Sequence, residues 1–273
     1  MVRTLIHHEL HRTRKPLAAL LGFSTLGVLG SFLLAITGWP VISAVAAVVS
    51  LIITGAFLIV LVLGIAVDLY QSSFGRRGYL THALPIQGST IMWTKLAYSI
   101  IVILVGVLWY VAGITMTILA MQVSAGTPLG EAWSALTAQV SAFMDTVPTW
   151  LLLAIIAMVL LMVLAYVAQV YFAVSVGSEK RFHGMQAGGP VLLYALVYLV
   201  IQLVLVIGIA LVPFGLAFTG GELRLTTFQV GALFTSSGPD EIIPLGFIPA
   251  LALLCALLLW RTVISWQSRV ALR

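Results

Sequence analysis

The sequence predicts an all-α integral membrane protein with six transmembrane helices, and three observations carry that expectation. Of the 273 residues, 62% are apolar and 8% charged, against ~45–50% and ~25% in a soluble domain. A mean hydropathy of +1.16 leaves too little polar surface to clothe a water-soluble globule of this size. Six apolar segments reach the ~20 helical residues that a ~30 Å hydrocarbon core requires. Finally, Lys and Arg crowd into alternate connections, as membrane topology dictates. A soluble enzyme and a disordered chain are excluded, and the net charge of +5 has a topological rather than a nucleic-acid origin.

The spans fall at about 17–37, 41–67, 96–121, 150–174, 191–218 and 244–264, within a single transmembrane domain covering residues 1–273. Barrel strands are a poor alternative, because they alternate apolar and polar residues and these runs do not. The first segment exceeds the ~7–15 apolar residues of a signal peptide and is followed by Gly38-Trp39-Pro40, so it is expected to remain as an anchor. The second, third and fifth segments are long enough that they must tilt or project past the membrane as helices. Only the last contains a charge, Arg261, placed near enough to its end to snorkel outward.

Twelve of the thirteen Lys and Arg lie on one side of this arrangement: Arg3, Arg12, Arg14 and Lys15, then Arg76, Arg77 and Lys95, then Lys180 and Arg181, then Arg261, Arg269 and Arg273. The other side holds Arg224 alone. Basic residues near span ends face the cytoplasm, so both termini are expected there. The single cysteine, Cys255, permits no intramolecular disulfide.

The first outer turn, Gly38-Trp39-Pro40, pairs spans one and two tightly. In the second outer loop, Pro128–Met144 suits a short helix lying on the membrane, with Glu131 in its first turn, where a carboxylate complements the helix dipole. The third outer loop, Thr219–Ile243, mixes Gly, Ser and Pro with Phe228, Val230, Leu233 and Phe234. It reads as an interfacial or partly re-entrant segment.

Few residues invite chemistry. His7, His8, His11 and Glu9 cluster near the N-terminus, but their spacing is one residue short of a zincin motif, and no further ligand stands at fixed spacing. An amphipathic interfacial helix accounts for them better, with Leu5, Ile6 and Leu10 toward lipid and Arg3, His7, Arg14 and Lys15 toward headgroups. No Gly-x-Ser-x-Gly elbow and no phosphate-binding Gly-x-x-x-x-Gly-Lys-Ser/Thr loop occurs. Within the spans only neutral polar groups remain. Small residues such as Ala46, Ser50 and Thr54 favour close helix packing. Tyr194, Tyr198 and Gln202 share a face at i, i+4, i+8 and suit either a cavity wall or interhelical hydrogen bonds.

The most informative stretch is the 28-residue connection 68–95, long for a helical bundle and therefore a functional candidate. Gly78 and Pro85 bracket a short segment in which Tyr79 and Ala83, and Leu80 and Leu84, form an apolar edge. Such an edge suits docking on a cytoplasmic partner or a helix on the lipid surface.

The pattern Leu69-Tyr70 … Gly78-Tyr79-Leu80-Thr81-His82-Ala83-Leu84-Pro85, followed by Lys95, resembles the permease subunits of bacterial ABC-2-type exporters. The six spans, cytoplasmic termini, basic N-terminal helix and long first cytoplasmic loop match that architecture too. The resemblance implies a transmembrane permease without an ATPase site or cofactor of its own, in the bacterial inner membrane. Hydrolysis of ATP, with Mg, would belong to two copies of a separate ATP-binding subunit, and a second permease subunit, identical or homologous, would complete the pathway. It implies that Tyr79, Leu80, Thr81, His82, Leu84 and Pro85 belong to a coupling helix contacting the ATPase, that the N-terminal helix is an interfacial elbow, and that short extracellular helices follow span five. Arg76 and Arg77 stand where relatives often carry acidic residues. The largely uncharged spans point to a hydrophobic or amphipathic cargo such as a lipid, peptide or drug. The alternative is a non-transporting scaffold or sensor that recruits a cytoplasmic partner through loop 68–95.

Overall fold

A computed structural model describes residues 2–75, 87–219, 222–227 and 242–268. Among them are seven α-helices: α1 (Val2–Ile36), α2 (Pro40–Ser73), α3 (Gly88–Ser124), α4 (Leu129–Thr146), α5 (Thr149–Gly177), α6 (Gly188–Leu211) and α7 (Phe247–Ser268). All except α4 are long and apolar enough to cross a membrane. A 3-10 turn, Lys180–Met185, joins α5 to α6, and three short strands, β1 (Phe214–Thr219), β2 (Glu222–Thr227) and β3 (Ile242–Pro244), lie between α6 and α7. The chain forms two compact units, Met1–Asp68 with Trp93–Ile156 and Leu69–Met92 with Ala157–Arg273.

In the first unit, α1 runs unbroken from Val2 to Ile36 with Pro16 inside it, so the predicted N-terminal helix and first span are one element. The proline ring removes one backbone donor. Leu10 is half exposed, while the inward line of this helix holds Glu9, Thr13, Ser24, Val28, Ser31 and Ala35. Pro40 opens α2 at the first helical position, where its missing N–H costs nothing. Ala46, Ser50 and Thr54 are all buried, and Ser50 and Thr117 hydroxyls meet at 2.8 Å, so this stripe packs α2 against α3. A Cβ on Gly113 would lie 3.0 Å from the Thr54 methyl, which is the small-residue contact that apolar helices need when no hydrophobic effect drives them together. Phe57 and Trp109 rings sit 4.0 Å apart, and the Trp109 indole N–H donates to Thr25 at 2.9 Å.

The second unit is centred on Ala165 and Ala168 of α5, Val197 and Ile201 of α6, and Leu251, Cys255 and Leu258 of α7. Helices α6 and α7 touch backbone to backbone where Gly208 faces Gly246 and Ala250; a Cβ on Gly208 would stand 2.5 Å from that of Ala250. Gly177 likewise lies against Pro190, closing the turn between α5 and α6.

Two predicted boundaries and the expected structure of one loop are corrected. The fifth span, set at 191–218, ends at Leu211, because Pro213 can neither donate to the helix nor tolerate a helical Val212; Val212 is in fact extended, with φ −114° and ψ 87°. Residues 214–219 form β1 instead. The last span, set to begin at Pro244, begins at Phe247, since Pro244 belongs to β3. Of the third outer loop, the described part is an antiparallel sheet in the order β2-β1-β3 rather than short helices. Its register runs from Phe214 opposite Thr227 to Thr219 opposite Glu222.

Candidate functional site

Both ends of the connection 68–95 are helical. Helix α2 continues six residues past Val67 and α3 begins eight residues before Leu96. At ~1.5 Å per residue both exceed ~50 Å, well beyond a ~30 Å hydrocarbon core. Tyr79, Leu80, Thr81, His82, Leu84 and Pro85 lie outside the described residues. What the structure describes is how the ends flanking them are held.

In the first unit the last residue of that unit on α2, Asp68, and Lys95 on α3 converge on α1. Lys95 reaches the Glu9 carboxylate at 2.8 Å. Arg12, one turn on, donates to the same carboxylate and to Asp68 at 2.5 Å. The Thr13 hydroxyl donates to the Glu9 carbonyl at 2.9 Å and also meets the Tyr98 hydroxyl. Its single proton is thereby used, so Tyr98 is the donor of that pair. Glu9 is 7% exposed and Lys95 5%. Neither would be stable there alone, since a buried charge demands a partner. Two acids and two bases leave the cluster neutral while tying α1, α2 and α3 together.

The second unit holds the same connection by packing. Phe74, just beyond α2, places its ring edge-on against Trp266 of α7 at 5.4 Å and 74°. Gly88, the first residue of α3, lies so close to Trp266 that a Cβ would stand 2.5 Å from its carbonyl oxygen. The Trp266 indole N–H donates to the Ser175 hydroxyl of α5 at 2.8 Å. Thus one buried tryptophan touches both flanks of residues 75–87 and connects them to α5 and α7. Nearby, Arg261 donates to Glu179, just past the end of α5, at 2.7 Å.

Tyr194, Tyr198 and Gln202 do share one face of α6. The Tyr194 hydroxyl donates to that of Tyr166 on α5 at 3.5 Å, whereas Tyr198 is 50% exposed and Gln202 also exposed. No group of three His, Cys, Asp or Glu suited to a metal occurs among the described residues. Sequence reading missed Glu9 and Glu179 as anchors. The available signal was their isolation, each being a lone acid among basic residues, with Arg12 one helical turn from Glu9. Comparison of the chain with protein-family models, with curated proteins and with solved structures finds no match.

Proposed function

We propose that this chain is the permease subunit of an ATP-driven exporter of the ABC-2 type, with both termini in the cytoplasm of a bacterial cell and the first turns of α1 at the inner membrane surface. One observation supports the reading above the others: the segment carrying Gly78-Tyr79-Leu80-Thr81 and Leu84-Pro85 follows and precedes helices longer than a bilayer is thick, whose ends make buried contacts with Glu9 and with Trp266.

A push on that segment would then reach the spans as a rigid-body motion rather than being lost in a loose loop. ATP binding on a separate subunit, by closing an ATPase dimer beneath two permeases, would supply the push. For ATP to drive the change the ATPase must dock differently in the two states, and Tyr79, Leu80, Thr81, His82, Leu84 and Pro85 are the residues that would make that contact. Tyr194, Tyr198 and Gln202 would face the pathway or the second permease, since exposed polar groups on a spanning helix are costly against lipid. The cargo class that suits neutral spans is hydrophobic or amphipathic.

The test is co-purification from native membranes in mild detergent. Wild type is expected to carry down an ATP-binding subunit, identified by mass spectrometry, while Leu80→Asp and Leu84→Asp lose it without loss of membrane insertion. Recovery of no such subunit with the wild type would overturn the exporter reading in favour of a scaffold. Equal recovery with wild type and variants would remove the loop from the contact.

A further inference from the structure

Helix α4 has an apolar face that the described residues of its own unit leave open. Leu129, Trp133, Leu136, Val140, Phe143 and Met144 recur at helical spacing along one side. Five of them are 43–55% exposed and Leu136 is partly so. The opposite side carries Glu131, Ser134, Ser141 and Asp145. Only Ala132, at the margin of the apolar stripe, is buried, so the helix touches its unit along an edge and leaves the stripe open.

Chain continuity says what covers it. Gly126, with φ +95°, turns the chain after α3, and four residues separate Ser124 from Leu129, a reach of at most ~18 Å. At the other end Val147 is extended, with φ −88° and ψ 121°, as a residue before proline must be. Only Pro148 then separates it from α5, whose run of apolar residues begins at Trp150. The C-terminal end of α4 is therefore held within ~11 Å of the level at which α5 enters the membrane. A ~27 Å amphipathic rod tethered at that depth meets lipid on its apolar side and water on its polar side.

The geometry points to α4 as a lipid-binding surface helix, lying in the membrane interface on the side away from the termini, with Trp133, Val140, Phe143 and Met144 inserted among acyl chains. Its lipid is one with a zwitterionic or uncharged headgroup. No Lys or Arg occurs between residues 125 and 149, and Glu131 and Asp145 on the polar side repel anionic headgroups. Interfacial helices of the usual kind add a basic face for anionic lipid; α4 relies on its apolar stripe alone. This inference goes beyond the exporter reading and does not depend on it.

The experiment uses the full chain in a Cys255→Ser background, with single spin-labelled cysteines at Val140, Met144, Ser134 and Ser141, reconstituted in phosphatidylcholine vesicles. Oxygen concentrates in the hydrocarbon and a neutral nickel chelate in water. Collision with oxygen is expected to dominate at 140 and 144 and collision with nickel at 134 and 141, unchanged by 1 M salt or by added phosphatidylglycerol. Equal nickel accessibility at all four positions would place the helix in water and overturn the proposal. So would protection of 140 and 144 from both reagents that is relieved on dilution into excess lipid, which would make the stripe a contact between two copies. A stripe that inserts only when phosphatidylglycerol is present would overturn the choice of lipid.

Discussion

Glu9 is the side chain that ties together one end of the first unit. Its carboxylate serves Lys95 and Arg12 at once, and its backbone carbonyl serves Thr13. Removing one partner of a buried ion pair leaves the others charged in a poor dielectric, at a cost of about 3–5 kcal/mol. Glu9→Ala is therefore expected to lower the thermal midpoint in detergent sharply. Glu9→Leu combined with Lys95→Met, which removes charge from both sides, should fall well short of that loss. Ser175→Ala poses the neutral counterpart. It leaves the Trp266 indole N–H buried without its acceptor, costing about 1–3 kcal/mol. Trp266→Phe in the Ser175→Ala background deletes the stranded donor and should recover part of that stability, as a thermal-shift comparison of the two variants would show.

Among the elements, the helices were legible wherever apolar length decided the matter, because a run of some twenty apolar residues has few structural alternatives. Their ends were less so. Val212-Pro213 carries a plain stop signal, yet the apolar residues after it extend the hydropathy pattern into what is really β1. Hydropathy is blind to the difference between a buried helix and a short apolar strand. The polar extensions of α2 and α3 were hidden for the opposite reason: Gln71, Ser72 and Ser73 lower the hydropathy without interrupting the helix. The close contacts between helices were not legible at all, since glycine looks alike wherever it stands. Gly208 and Gly55 make this testable. Gly208→Val forces α6 away from Ala250 and Gly246 and should cost about 1–3 kcal/mol. Gly55→Ala, with open space around the new methyl, should be neutral or stabilising by up to about 1 kcal/mol. The ratio of surviving monomer after heating in detergent reads both.

For the molecule as a whole, the reading proposed above puts both chain ends on one side of the membrane, because its spans are even in number, and makes that side the cytoplasm by the distribution of Lys and Arg. A membrane-impermeant maleimide added to intact cells is then expected to label Ser141→Cys in a Cys255→Ser background. Thr4→Cys in the same background should react only after permeabilisation. The reverse pattern would overturn the orientation and with it the cytoplasmic placement of Tyr79–Pro85. The candidate stretch was singled out in the sequence by Gly78 and Pro85, which lie outside the described residues. Its supports were not, because Glu9, Trp266 and Ser175 come from distant parts of the sequence, and no local pattern reports a contact between them.

The link between α1 and α3 also sets an order of events in biosynthesis. Thr13 precedes its partner Tyr98 by 85 positions. At about 5–20 residues per second, the ribosome delivers α3 some ~4–17 seconds after the beginning of α1. Throughout that interval Glu9 has Arg12 within reach but neither Lys95 nor the polar neighbours that complete its surroundings. The first helix must therefore wait at the membrane surface, or in the shelter of the insertion machinery, until its third neighbour is made. A chain arrested between α2 and α3 would hold that carboxylate half-satisfied and would be an early target for membrane proteolysis.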